Sequence, residues 1–361
     1  MNILYLITKS EAGGAQTHVY QLCQAFRDTH TLTVVANPGG WLEEECKKLH
    51  VSFIPNTYFS NNLNPLRVLK SFFTIKKIIH EVKPDIVHCH SSVAGFLGRL
   101  AVRKKIPTVY TAHGWGFNIG VGALQKWVAI VSEKIVANYT DKIICVSEFV
   151  KELGVQYRIT SPDAFVVIYN GVELQPRIKN EHHDVRITCV GRLAPPKRPL
   201  VLLEAISLFT PEMQRDLYTR VVGKGPQMDQ LVTYITSKKI QHIELMGSLS
   251  RERIFDILHN SDIFVFLSDW EGFPISILEA MSCGLPIVSS NVGGIREMVD
   301  DKNGILLAQT TPELVAASLE RLVTDRKTRK YMGEMSSQIV KERFTVEHMV
   351  HQIQQVYDDL V

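Results

Sequence analysis

The sequence predicts an α/β protein built from two doubly wound parallel-sheet domains. Three observations predict it: thirteen short runs rich in Val and Ile, longer segments of helical period between them, and one polar break near mid-chain. Apolar runs that scarcely alternate with polar residues are the pattern of strands covered by helices on both faces. Strand–helix–strand alternation of this kind closes into doubly wound sheets. At ~150 residues per domain, 361 residues also suit two domains.

In the first half the candidate strands are 3–8, 32–37, 51–54, 85–90, 108–112, 142–146 and 166–170. In the second half they are 186–190, 218–223, 243–246, 263–267, 287–290 and 305–307. Segment 172–185 is polar, carries Pro176 and shows no apolar period, so the domains are expected at 1–173 and 183–345. Hydrophobic content of 45% and charged content of 21% exclude a disordered, collagenous or coiled-coil chain. A net charge of +3 argues against a dedicated nucleic-acid binder. The six cysteines include no CxxC pair and suit buried free thiols in a reducing compartment. The N-terminal nine residues lack a basic flank and a cleavage site, and no window approaches ~18 apolar residues, so a cytoplasmic protein is expected.

Ligands of such sheets bind at the C-terminal ends of the strands. After the first strand comes Ser10-Glu11-Ala12-Gly13-Gly14-Ala15-Gln16, leading into a helix with Val19, Leu22, Cys23 and Phe26 inward. The double glycine admits either a close phosphate at the helix N-terminus or simply a tight turn. Gly191-Arg192-Leu193-Ala194-Pro195-Pro196-Lys197 sets a forked donor and a point charge on one stiffened loop, a pair suited to a diphosphate, though a solvated basic loop has the same look. Gly223-Lys224-Gly225-Pro226 half-resembles a dinucleotide fingerprint but has Met228 where the third glycine belongs, so hydride transfer is rejected. With Gly247 these glycines are expected near a nucleotide.

Asp269-Trp270-Glu271-Gly272-Phe273-Pro274-Ile275-Ser276-Ile277-Leu278-Glu279 follows the 263–267 strand. Pro274 is expected to open a helix, with Glu271 on the loop before it and Glu279 about one and a half turns inside. Glu279 among Ile277, Leu278, Ala280 and Met281 is an odd setting for a solvated charge; a buried carboxylate needs a partner. His88 and His90 fall on one side of a strand end without further ligands in view, so a core or cleft role is expected for them in preference to metal.

Glu271 and Glu279 around Gly-Phe-Pro, the Gly191–Lys197 loop, Gly13-Gly14, Asn170-Gly171-Val172, Pro286 and Gly293-Gly294…Glu297 together resemble retaining nucleotide-sugar glycosyltransferases of family GT4 with the GT-B fold. The resemblance runs the length of the chain. It implies two Rossmann-like domains facing across a cleft, with helix 346–361 able to pack back on the first. It further implies that Arg192 and Lys197 neutralise the donor diphosphate, with Gly14 close to the phosphate or sugar. Glu279 would accept from the ribose hydroxyls. Glu271 and the backbone of Gly272, Phe273, Pro274 and Ile275 would hold the donor sugar, and His113 would lie beside it. Catalysis is thereby expected of Glu271 and His113, with a UDP-sugar as the default donor, GDP open, and neither metal nor other cofactor. Pro196 stands where an acidic residue is usual, and Glu173 where Asp is usual.

The His-Gly-Trp-Gly-Phe stretch from His113 resembles bacterial enzymes of capsule, exopolysaccharide and O-antigen assembly, which implies a glycan or polyprenyl-diphosphate-linked acceptor. Segment 61–105 carries nine Lys and Arg against two acidic residues, +7. A basic amphipathic helix at 65–79, with Arg99, Arg103, Lys104 and Lys105, points to an anionic membrane surface; the alternative is a helix that merely covers the sheet. Loop 116–122 is a candidate acceptor lid. Rival readings are another enzyme of the same fold, an epimerase or a phosphorylase, and a sugar-binding protein without catalysis.

Overall fold

The computed structural model describes residues 1–60, 64–118, 120–176 and 183–361. It divides into two compact units, Met1–Asn170 with Val346–Val361, and Gly171–Thr345. The strands of the first are β1 (Asn2–Leu6), β2 (Thr31–Ala36), β3 (Ser52–Pro55), β4 (Ile86–His90), β5 (Thr108–Ala112), β6 (Lys142–Cys145) and β7 (Phe165–Val167). They form one parallel sheet in the order β3-β2-β1-β4-β5-β6-β7. The second unit contains β8 (Val185–Val190), β9 (Leu217–Val222), β10 (Ile243–Gly247), β11 (Ile263–Phe266), β12 (Ile287–Ser290) and β13 (Gly304–Leu307). Their order is β10-β9-β8-β11-β12-β13, again all parallel.

Each run expected from the sequence is a strand; β4, β5, β11 and β12 have no exposed residue at all, because helices bury both their faces, whereas the edge strands β3 and β10 keep exposed residues. Strand order reverses between β1 and β4 and again between β8 and β11, so each sheet has a switch point where a crevice opens at the strand ends. The first core gathers Ile3, Tyr5, Val34 and Ile86 with Met349, Ile353, Val356 and Tyr357 of the helix Val346–Asp358. That helix shows a clean apolar stripe, which explains why it docks rather than trails. In the second unit, Ile187, Val201, Leu202, Val265, Val288 and Leu319 form the main core.

Several helices begin at a side-chain cap, as where Ser147 accepts from Val150 N and Asp325 from Lys327 N and Thr328 N. Gly14–Phe26 and Ile275–Ser282 start at Gly13 and Pro274 without a side-chain cap hydrogen bond. Their first N–H groups therefore face the edge where ligands bind.

Two expectations about the first unit need correction. Arg99 is not part of a basic surface: it is fully buried, 2.7 Å from Glu133 Oε2 and stacked 3.9 Å from the Tyr110 ring. A helix of small residues, Ser92–Val102, brings it under its neighbour Ala123–Ala137, where only an ion pair can hold it. The 116–122 loop is not free to act as a lid along its length either. Trp115 and Phe117 are buried and stacked at 5.3 Å, Trp115 Nε1 donates to Val150 O at 2.7 Å, and Asn118 is buried. Ile119 lies outside the described residues.

Candidate active site

Four strand ends converge in the second unit. Gly191 N donates to Val222 O (3.0 Å), Leu193 N to Lys224 O (2.9 Å) and Gly223 N to Gly247 O (2.8 Å), which ties the loops after β8, β9 and β10 side by side. The glycines make this possible. A Cβ on Gly223, where φ is +144°, would sit 1.9 Å from Gly191 O, and one on Gly225 would sit 2.1 Å from Leu193 O. Across the switch point the Gly191 loop pairs with the end of β11 through an antiparallel bridge between Lys197 and Ser268.

Lys197 Nζ is the centre of this arrangement. It forms a very short ion pair with Glu271 Oε1, lies 4.0 Å from the Phe266 ring centroid, and is four-fifths buried. Burial lowers its pKa, Glu271 opposes that fall, and Arg192 adds to it. The same Glu271 oxygen accepts from Ser268 Oγ at 2.6 Å. Arg192 is exposed on the loop above. An anion arriving here meets one buried, paired cation and one exposed one. Behind Glu271 stands Gly293 at φ +58°, whose Cβ would be 1.9 Å from Glu271 O. Only glycine lets the loop after β12 support Glu271 so closely.

Gly272, Phe273, Pro274 and Ile275 are buried and lead into the helix Ile275–Ser282. Phe273 stacks edge-on against Phe344 at 5.3 Å, which anchors the turn. Glu279 is 9% exposed, and burial pushes its pKa from 4.5 up to about 7 although Arg251 pulls it down. Arg251 Nε is 3.7 Å from Glu279 Oε1, and its NH1 is 3.4 Å from Glu173 Oε1. Arg251 is thus the partner that a buried Glu279 requires, and it bridges to the Glu173 that departs from the family pattern.

Gly14 and His113 belong to the first unit. There His18, His88, His90 and His113 form a cluster at the ends of β4 and β5 beside the first turns of the helix Gly14–Phe26. Ring centroids are 5.0 Å apart for His18 and His113, 4.2 Å for His88 and His90, and 5.5 Å for His90 and His113. His90 Nδ1 is 3.2 Å from His113 Nε2, and His18 Nδ1 is 3.1 Å from Asn170 Oδ1. His88 is held at both nitrogens, by Tyr357 OH at 2.6 Å and Thr111 Oγ1 at 2.7 Å. Burial lowers all four pKa values, His18 to about 4, so the imidazoles are neutral near pH 7 and can each donate and accept. Ser91, next after β4, has φ 64° and ψ 158°, a conformation that non-glycine residues avoid. Its Oγ is held by Thr8 N (3.0 Å) and Thr8 Oγ1 (2.7 Å) at the first switch point.

The sequence does not single out Arg251, Ser268, Ser91 or His18 as site residues. For Ser250-Arg251 the signal was a serine cap, and for Ser91 a serine directly after a buried strand; neither specifies the partner. Among the described residues, no group of three or more His, Cys, Asp or Glu side chains is arranged to hold a metal. All six cysteines are free, five of them buried.

The second unit thus carries a cation pair and two carboxylates at its switch point. Residues 12–176 match the family model described as Glycosyltransferase Family 4, and residues 173–338 that of Glycosyl transferases group 1. The chain is 32% identical over 332 residues to the UDP-Gal:alpha-D-GlcNAc-diphosphoundecaprenol alpha-1,3-galactosyltransferase of Escherichia coli, covering 86% of this chain and 84% of that one. It is 29% identical over 327 residues to the O-antigen biosynthesis glycosyltransferase WbnH of Escherichia coli, covering 90% of each. Among solved structures, Anabaena Alr3699/HepE in complex with UDP and glucose superposes with a TM-score of 0.83 at 20% identity, covering 100% of each chain. The chain belongs to glycosyltransferase family 4, and its fold is the GT-B fold expected from the sequence.

Proposed function

We propose that this enzyme transfers a sugar, with retention, from a UDP-sugar to a hydroxyl of a polyprenyl-diphosphate-linked saccharide, at the inner membrane face, in cell-surface polysaccharide assembly. The observation that carries the reading is the Lys197–Glu271 pair at the β8/β11 switch point, with Arg192 above it and Glu279 in the adjoining helix. The relatives support the substrates: one is named for UDP-Gal and a diphosphoundecaprenol acceptor, and a solved neighbour holds UDP and glucose.

In this reading Arg192 and Lys197 take the diphosphate and stabilise the charge that builds as the bond from C1 to the phosphate oxygen breaks. The same cation pair supplies the charge that a metal would otherwise bring, so turnover is expected to continue in excess chelator. Glu271, drawn from Lys197 as the diphosphate arrives, turns to the sugar hydroxyls. Glu279 accepts from the ribose. Gly223, Gly225 and Gly247 border the nucleoside. The resemblance in sequence implies that Gly14 and His113 lie near the donor phosphate and sugar, and the reading keeps those roles. The acceptor oxygen attacks C1 from the side the diphosphate leaves, and its proton passes to the departing phosphate oxygen. The protein contributes chiefly position and electrostatics.

Purified enzyme with a UDP-sugar and a soluble diphosphate-linked saccharide tests this by release of UDP and by the anomeric configuration of the product. Lys197→Ala and Glu271→Ala are each expected to lower turnover about a hundredfold or more. Turnover within threefold of normal in both variants, or an inverted product, rejects the assignment.

A further inference from the structure

His88 and His90 alternate with Cys89 on β4, and Thr111 and His113 alternate with Ala112 at the end of β5. A period of two therefore puts these four side chains on one face of the sheet. Parallel pairing sets His90 beside Thr111, so His113 stands one step beyond His90 and the two rings meet. The rings of His88 and His90 are 4.2 Å apart, and His88, held at both nitrogens, is a fixed wall for its neighbour. His18, from the helix Gly14–Phe26, packs against both of the others, 5.5 Å from His90 and 5.0 Å from His113.

A neutral imidazole has one N–H and one bare nitrogen, and its partners decide which is which. His18, His90 and His113 are all neutral near pH 7. His18 Nδ1 faces Asn170 Oδ1, an atom that can only accept, so His18 carries its proton on Nδ1. Its Nε2, buried and with no partner among the described residues, is then a bare lone pair. His90 repeats the arrangement: Nδ1 is 3.2 Å from His113 Nε2, while Nε2 is buried without a partner among the described residues. If His113 donated to His90, the single proton of His90 would sit on Nε2, a buried N–H with nothing to receive it. If His90 donates, that buried nitrogen is a bare lone pair, as it is in His18. Buried N–H groups without an acceptor are the rarer case in folded proteins. The proton between the two rings therefore belongs to His90.

The state of His113 follows. Its Nε2 accepts, so its own proton is on Nδ1. The ring is half-buried, and Nδ1, on its accessible part, has no partner among the described residues.

We propose that His90 is a positioning residue that holds His113 in its Nδ1–H form, so that His113 meets a ligand as a hydrogen-bond donor and has no free basic nitrogen with which to take a proton. This rests on the placement of His113 beside the donor sugar proposed above, and it narrows the partner there to an oxygen lone pair, of a sugar hydroxyl or a phosphate. It also leaves the acceptor's proton to the departing diphosphate.

Long-range nitrogen–proton NMR of the enzyme carrying isotope-labelled histidine reads the tautomer without any substrate, with His113→Gln identifying the signals of His113. At pH 7 His113 is expected with Nδ1 protonated and Nε2 bare, the reverse of the form an imidazole side chain favours in water. His90→Leu removes the donor and should shift His113 towards Nε2–H. His90→Asn, whose amide N–H stands near the place of Nδ1–H, should restore the original form. Turnover of a UDP-sugar should fall about tenfold or more in His90→Leu with KM changed less than about threefold, and should recover in His90→Asn. His113 protonated on Nε2 in the unaltered protein overturns the proposal, whether or not the His90 variants fold. A loss of turnover in His90→Leu that leaves the tautomer of His113 unchanged overturns it too, because a structural role would do the same. Nδ1–H on His113 together with normal turnover in His113→Gln would keep the tautomer and overturn the placement of His113 at the donor sugar.

Discussion

Replacing Glu279 with glutamine separates the two consequences of its position. The carboxyl is 9% exposed and its cation, Arg251 Nε, is 3.7 Å away, so burial outweighs attraction and its pKa rises from 4.5 to about 7. An unfolded chain ionises this group near 4.5, while the folded one keeps the proton up to about 7. The folded state therefore binds the extra proton in that window. Stability from this group is fully present below the lower value and is lost as pH rises through the upper one. At about 1.4 kcal/mol per pH unit, the loss is about 3 kcal/mol. Glutamine does not titrate. Urea unfolding of both proteins at pH 4.5 and pH 8 should show the variant gaining about 3 kcal/mol relative to the unaltered enzyme, and other titrations cancel in that difference. Under the proposed ribose role of Glu279, nucleotide binding should run the opposite way, because ribose hydroxyls donate best to an ionised carboxylate. With a pKa of about 7, roughly a tenth of the carboxylates are ionised at pH 6 and roughly nine-tenths at pH 8. UDP should bind the unaltered protein about tenfold more tightly at pH 8, beyond the change shared with Glu279→Gln. Ionisation of the terminal phosphate near ~6 is common to both proteins. A stability difference flat in pH, together with equal pH slopes for UDP, refutes the reasoning.

Two further substitutions probe the frame. Gly293→Ala places a methyl 1.9 Å from Glu271 O and asks alanine to hold φ +58°; the loop must shift, and a displacement near ~1 Å at a reacting group can cost about a hundredfold. Turnover should fall at least tenfold while circular dichroism is unchanged, and full activity would show that Glu271 is not held from behind. Arg99→Met leaves Glu133 buried without its cation and should lower unfolding free energy by about 3–5 kcal/mol in denaturant, whereas Arg99→Met/Glu133→Leu should recover most of it. A single variant as stable as the double would refute a desolvated pair.

The fold was legible because its signals are local. A parallel strand buried on both faces needs an unbroken run of apolar residues, and such runs stand out at 86–90 or 263–266 without knowledge of their neighbours. The loops of the candidate site were legible for the same reason: Gly191 to Lys197 and Glu271 to Glu279 carry their chemistry within a few residues. The reading of a basic surface failed at Arg99, since charge counted along the chain ignores which side of a helix a residue occupies.

By itself, then, the sequence determined the two sheets, their parallel sense and the loops of the candidate site, because period and spacing act over a dozen residues. Only the tertiary structure decided which side chains meet. Lys197 reaches Glu271 across 74 positions, His88 reaches Tyr357 across 269, and Arg251 closes on both Glu173 and Glu279. Those encounters depend on strand order at the switch points and on where the last helix packs, and their strength depends on the water that packing removes.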